Sequence, residues 1–391
     1  MRQLYTQVIA DVRDGKAGTI HPELYRAYSE NLRGAVSGVL GASSYGDRYS
    51  DMQSQFEANT ARFAAYKAFH ATQQLQRQLA DSDGVARSPE EFDRMARAVL
   101  NTFNRYQAAE YNTAVARART AKQWADFSQG DNMFLFPNIR WLPSRSANPR
   151  EQHMPFYNRV WAKNDPFWNS NQPGNLWNCK CDWEETDDPV TGDNPEGIRP
   201  ARGLEGNPAE TGQIFTDECT YIKKAGRIAL DQEMAEQFPS LQKLLDYDPK
   251  KWRADYYDNE GGLLLTNLLR IKESQTNKQE ERKFEKEYSM CRTLATNHHA
   301  VEYRESVEGS FDIFLDGKKA DLKKTTGTGN IFKYAIYAVN HQGAELVVFE
   351  FDMSNNDKLQ REIISLRKLG IKGYYFFTSD KGHLYKIREP A

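Results

Sequence analysis

The chain has 391 residues, 39% of them hydrophobic and 27% charged, with a formal net charge of −2. That length is too great for one ordinary core and predicts two or three domains of globular composition. The near-neutral balance excludes a protein that coats nucleic acid over its whole surface, though not one with a local basic groove.

The four cysteines, Cys179, Cys181, Cys219 and Cys291, are too few and too unevenly placed for a secreted disulfide framework. Cys179 and Cys181 stand two apart, where a disulfide would be strained. The stretch Met1 to Arg13 is polar and lacks a signal-peptide core, and no apolar run approaches the ~20 residues needed to cross a bilayer. No membrane partner is expected, and synthesis is expected in a reducing cytoplasm.

In chain order, residues 1–130 read as helical. Ser50 to Ala80 and Pro89 to Phe127 carry apolar residues at three- and four-residue spacing. Ser88-Pro89-Glu90-Glu91 is a helix start, with a capping serine, proline in the first position and acids in the first turn. Residues 131–222 change character: five tryptophans (Trp141, Trp161, Trp168, Trp177, Trp183) fall among Pro, Gly, Asn and Asp. Such text predicts an irregular, loop-rich module pinned by large aromatics, with Arg199 to Gly212 as an exposed strap.

Residues 223–275 read as a helical connector (Ile228 to Tyr247, then Leu263 to Ile271), and the polar run Lys272 to Arg282 reads as a hinge. Residues 276–391 then alternate in the manner of a compact α/β unit. The expected elements are a helix Glu280 to Asn297, strands Ala300 to Tyr303 and Phe311 to Leu315, a turn at Asp316-Gly317 and a returning strand Lys319 to Lys323. A Gly/Thr loop, a helix from Asn330, a buried strand Leu346 to Phe351, a helix Asp357 to Leu369 and a final strand pair follow. The expected fold class is therefore α+β multidomain: a helical N-terminal region with a loop-rich Trp/Cys module, then a compact C-terminal α/β domain.

The tryptophan module carries the first candidate site. His153, Cys179 and Cys181 can supply three soft ligands to zinc, with a fourth from Asp182, Asp165 or another residue. The alternative is a folded loop cluster in which His153 caps backbone groups and the thiols pack against indole rings. Catalysis by a Cys/His pair lacks an evident oxyanion site or orienting group.

The series Asn148-Pro-Arg150-x-x-His153, Asp165-Pro-Phe-Trp168 and Asn178-Cys-Lys-Cys181 resembles the signature of Mu F-like minor head (head morphogenesis) proteins of tailed phages. Lys180 stands where that family has arginine, and Ala209 departs from its Asn-Pro-Gly. The resemblance covers roughly the first 220 residues. It implies a low-copy capsid-assembly protein with portal and head proteins as partners, made in the host cytoplasm and then carried in the head interior of the virion.

The second candidate site lies in Phe311 to Lys323. Asp312 and Asp321 fall on two strands of one hairpin, and Lys323, two residues beyond Asp321, shares its face. Two carboxylates and a lysine suit phosphodiester cleavage assisted by a divalent cation such as Mg. This is the spacing of PD-(D/E)xK nucleases, in which a glutamate on the preceding helix assists; Glu285 and Glu287 are the candidates.

The loop Thr325 to Asn330 opens a helix, and free N–H groups there suit a phosphate. Lys318, Lys319, Lys323 and Lys324 add a basic patch suited to a phosphate backbone. The text from Val301-Glu302 through Asp312, Asp321-Leu-Lys323, Thr326 to Asn330, Lys333 and Gln342 resembles the C-terminal tRNase domains of contact-dependent inhibition toxins. The resemblance implies Asp312, Asp321, Lys323, Thr326 and Glu287 as catalytic residues, with Lys324, Thr328, Asn330, Lys333 and Gln342 binding an RNA substrate such as tRNA. An immunity protein is an implied partner.

Phage head proteins of this type also carry barnase/EndoU/colicin/RelE-like domains, which cut RNA without metal. Lys323, Lys324, Thr326, Thr328, Asn330 and Lys333 suit that chemistry equally well. His298, His299, His341 and His383 read as surface or capping residues. The expectation is a head protein with a C-terminal endoribonuclease. The alternatives are a purely structural head protein whose last domain binds nucleic acid or a partner, and a DNA-directed nuclease.

Overall fold

Four helices carry the first part of the chain: α1 (Arg2–Arg13), α2 (Pro22–Leu40), α3 (Ser50–Gln76) and α4 (Pro89–Phe127). The computed structural model describes residues 2–41, 46–129, 132–191, 195 and 198–388. Two compact units emerge, Met1–Gln237 and Phe238–Ala391.

In the first unit, α4 starts as its sequence dictates: Ser88 Oγ accepts the Glu91 N–H at 3.2 Å and Pro89 fills the first turn. At 39 residues it runs about 58 Å. Alanines at 58, 61, 64, 65, 68 and 71 let neighbouring helices approach α3 closely, so α3 is buried nearly all round. Lys67 of α3 forms a buried ion pair with Glu110 of α4 and stands 4.5 Å from the Tyr28 ring centroid.

After the short α5 (Asn132–Leu135), three strands form a sheet with β1 (Asn138–Leu142) between β2 (Val160–Ala162) and β3 (Asp182–Thr186), all antiparallel. Trp141, Trp161, Trp168 and Trp183 pack with Ile139, Phe156 and Phe167 into one core. Each such ring contributes roughly 4–6 kcal/mol of gross transfer free energy, which compensates for the scarcity of regular hydrogen bonding here. Short helices α6 (Pro208–Thr211), α7 (Thr220–Ala225) and α8 (Gln232–Gln237) close the unit.

The second unit begins with α9 (Leu241–Asp246), β4 (Trp252–Tyr257), β5 (Leu263–Asn267), α10 (Leu268–Ser274) and α11 (Lys278–Thr296). It continues through β6 (Ala300–Tyr303), β7 (Ile313–Leu315), β8 (Lys318–Thr325), α12 (Ile331–His341), β9 (Leu346–Phe351), α13 (Asp357–Lys368), β10 (Gly373–Phe377) and β11 (Asp380–Arg388). All eight strands make one mixed sheet in the order β11-β10-β9-β8-β7-β6-β5-β4. β6, β7 and β8 form an antiparallel meander, and β8, β9 and β10 run parallel through α12 and α13.

α11 covers one face over Ala320, Leu322, Leu346 and Val348, while α12 and α13 cover the other over Val347, Phe349 and Phe351. Burial on both faces explains why β9 is an unbroken apolar run apart from Glu350. The β7–β8 turn needs two left-handed residues, which Asp316 (φ 50°) and Gly317 (φ 80°) supply.

Three expectations from sequence change. Residues 223–275 are not a helical connector: they hold β4 and β5, and β5 pairs in parallel with β6 inside the large sheet. The second unit thus starts at Phe238 rather than 276, and the polar run Lys272 to Arg282 lies within it, spanning the end of α10 and the start of α11. Arg199 to Gly212 is no exposed strap. The buried Arg117 guanidinium donates to the Leu204, Glu205, Gly206 and Gln213 carbonyls, and Leu204, Asn207 and Pro208 are buried. The expected boundary at 130–131 lies outside the described residues. The fold class itself is α+β, as the sequence predicts.

Candidate active site and metal centre

The ladder between β7 and β8 stops at the pair Ile313–Ala320, leaving the Leu322 N–H without a strand partner. Asp312, one residue before β7, fills that role: its Oδ2 accepts the Leu322 N–H at 2.9 Å. The carboxyl is thereby held where the meander opens, against the carboxyl of Asp321.

Asp321 is fully buried, and neither of its oxygens has a donor in hydrogen-bond geometry; Lys323 Nζ lies 2.5 Å from Oδ2. Period-two alternation puts Asp321 and Lys323 on one face of β8. The same Nζ donates to Gln342 Oε1 (3.2 Å) at the end of α12, and Gln342 Nε2 is anchored on the Ser310 carbonyl at 3.2 Å.

Glu287, on the buried side of α11, joins the same electrostatic system. Burial and the charge of Asp312 raise its pKa, and burial together with Asp321 pushes Asp312 up to about 6. Asp321 is likewise raised by burial, with Lys323 pulling against it and Glu287 adding to the rise. Three carboxyls that raise one another's pKa favour a cation.

Two residues that sequence did not single out hold Glu287 in place. Tyr303 donates its hydroxyl to Glu287 Oε2 at 2.7 Å, and the buried Arg270 donates from Nε to the Tyr303 oxygen at 2.9 Å. Arg270 also reaches Glu280 (3.2 Å), Glu273 (3.4 Å) and Glu287 (3.5 Å). Only the alternation of β6 hinted at an inward Tyr303; nothing in the local text marked Arg270.

The remaining candidates separate. Lys324 turns to the opposite face of β8 and pairs with buried Glu350 at 2.8 Å, where Thr378 also donates at 2.9 Å. It is thereby removed from the Asp312–Asp321 face. Thr326, Asn330 and Lys333 are exposed on the loop and first turn of α12, Thr328 is buried, and Asn330 makes no side-chain cap bond. Glu285 is exposed. His299 is held by Asp316 (2.6 Å), His383 by Asp380 (2.8 Å) and His298 by Asp258 and Glu260 (3.2 Å each).

In the first unit, His153 Nδ1 lies 3.3 Å from Cys179 Sγ and 3.5 Å from Cys181 Sγ. Nitrogen and sulfur ligands on one tetrahedral zinc stand about 3.5 Å apart. His153 is fully buried, and its Nε2 meets Asn175 Oδ1 at 2.8 Å. Asn175 Nδ2 donates to the Ser170 carbonyl (3.1 Å), which fixes the amide so that Oδ1 faces the ring. Nε2 thus carries a proton, and Nδ1 is the ring nitrogen that faces the sulfurs.

A hydrogen bond from Cys181, with help from His153, brings the Cys179 thiol down to about 4; the same bond and burial push Cys181 up. These three residues are a group that can bind a metal ion, and among the described residues no other three His, Cys or acidic side chains meet as closely. Asp165 caps a 3-10 turn through the Phe167 N–H, and Asp182 pairs with Gln123 and Arg145, so neither expected fourth ligand joins them. No protein-family model, curated protein or solved structure matches the chain.

Proposed function

We propose that the second unit is a divalent-cation-dependent endonuclease and that the first is a Mu F-like minor head module which carries it. What supports the nuclease reading is the meeting of Glu287, Asp312, Asp321 and Lys323 on an α-β-β-β-α-β frame, α11 through β9. Asp312 and Asp321 would hold the cation, and the buried carboxyl of Asp321, whose only close cation is Lys323 among the described residues, fits one. A cation bound there supplies charge neutralisation at the scissile phosphate and lowers the pKa of an attacking water.

The protein's own groups do the rest. Lys323, aimed by Gln342, stabilises negative charge building on the phosphate oxygens. Glu287, kept in place by Tyr303, accepts the proton of the attacking water. RNA, tRNA in particular, is the substrate implied by the resemblance to toxin tRNase domains.

Incubating the full chain with total tRNA and supercoiled plasmid, with Mg²⁺ or EDTA, tests this. The expected result is tRNA fragmentation in Mg²⁺ alone. Cleavage that persists in EDTA removes the metal, plasmid cleavage alone makes the enzyme DNA-directed, and no cleavage ends the nuclease reading.

The head-module reading is supported by the ordered residues of the tryptophan module, several of which share one buried cluster. Zinc on His153, Cys179 and Cys181 would brace that cluster. The chain would then enter the virion with portal and head proteins after assembly in the host cytoplasm, and an immunity protein would protect the producer. Its absence from purified particles, by mass spectrometry, would overturn this half.

A further inference from the structure

We infer that a metal held by His153, Cys179 and Cys181 keeps its fourth position open to solvent, and that this position takes an anionic oxygen ligand of the phosphate class. The inference rests on the zinc reading above and extends it from a brace to a binding site.

The first ground is the donor count. Structural zinc is closed by four protein ligands, whereas a site with three keeps a place for an exchangeable one. Among the described residues only three His, Cys or acidic groups meet here, and both nearby aspartates are engaged by other partners.

The second ground is access. Although His153 is fully buried, the two cysteines line a cleft of about 210 Å³ between α4 and the Lys180–Asp182 segment.

The third ground is charge. Arg119, Arg145 and Lys180 line the cleft, and Asp182 is the one acid among its lining residues. Arg145 pairs with that acid at 3.2 Å, so Arg119 and Lys180 leave a net positive wall beside the metal. A metal bound by one histidine and two thiolates carries little net charge of its own. The flanking cations are what favour an anion over water. A phosphate oxygen can take the fourth position while its other oxygens meet Arg119 and Lys180.

Cobalt(II) substitution in the full chain tests the inference, because its visible bands report the coordination sphere directly. Cobalt should give the intense bands of a four-coordinate thiolate site, and inorganic phosphate should shift them saturably. The double variant Arg119→Gln/Lys180→Gln should bind cobalt normally but raise the phosphate Kd by about 10-fold or more. A parallel titration with a short DNA duplex distinguishes a free oxyanion from a nucleic-acid backbone as the natural source.

Cobalt bands that ignore both phosphate and duplex overturn the open position while leaving the metal. Bands that respond equally in the double variant overturn the role of the cleft. The Tyr157 hydroxyl faces Cys181; if Tyr157→Phe alters the anion-free spectrum, tyrosine is the fourth ligand and the inference fails. No cobalt bands at all remove the metal and this inference together.

Discussion

Tyr303 donates its hydroxyl to Glu287 at 2.7 Å, and that one bond ties a strand of the meander to the acid on the helix beneath it. Arg270 backs the same oxygen from outside the sequence segment that first drew attention. Tyr303→Phe should cost about 1–3 kcal/mol, because it leaves two buried polar groups short of a partner. It should also move the acidic limb of the pH–rate profile upward, since Glu287 loses the donor that favours its ionised form. A profile that keeps its shape while Tm falls would make Tyr303 a purely structural residue.

Asp312→Asn should abolish cleavage yet stabilise the fold. The Asp312 pKa is raised to about 6 from 3.8. Between those values the native chain binds more protons than the unfolded one, so stability falls as pH rises through this window. Asparagine keeps an acceptor for the Leu322 N–H and removes the buried charge. The gain at pH 7 should be about 1–2 kcal/mol, or a few degrees in Tm. Mg²⁺ should raise the wild-type Tm and leave the variant unmoved; calorimetry at pH 4.5 and 7 checks both.

Adjacent lysines should behave oppositely. Lys323→Ala should cut tRNA cleavage by ~10²-fold or more, and because it also removes the cation beside the fully buried Asp321 it should lower stability as well. Lys324→Ala leaves the buried Glu350 with Thr378 and the more distant Lys381, and should cost about 1–3 kcal/mol while sparing turnover at low temperature. If Lys324→Ala abolishes turnover in the folded chain, the two faces of β8 have been assigned the wrong roles.

Zinc should co-purify at one equivalent per chain and be lost in Cys179→Ser. Asn175→Ala removes the acceptor that holds the His153 ring, and should weaken zinc by about 10- to 100-fold. Competition with a chromophoric chelator measures this; unchanged affinity would show that the ring needs no such partner.

Much of the fold was legible because period and punctuation agreed. Ser88-Pro89 marks the start of α4, Asp316-Gly317 marks the hairpin, and Leu346–Phe351 is buried on both faces. β5 was missed because all five of its positions are buried. A short apolar run without alternation does not distinguish strand from helix. Alternation also put Asp321 with Lys323, but Lys324 was grouped with Lys323 in one basic patch, and its turn to Glu350 depends on what packs on the other face of β8. The partners of Arg117 lie 87 to 96 residues away, beyond any local pattern. Arg270 is hidden because its partners are spread over three elements: Glu273 on its own helix α10, Glu280 and Glu287 on α11, and Tyr303 on β6.

The parallel pairing of β5 with β6 has a practical corollary for anyone wishing to excise or transplant the last domain. A fragment trimmed at the polar run after α10 would expose the edge of β6 and discard Arg270 with it. Raw strand edges invite aggregation. Cutting ahead of Phe238 keeps the sheet whole, so the portable cassette, whether for engineering or for exchange between genomes, is some forty residues longer than its charge pattern advertises.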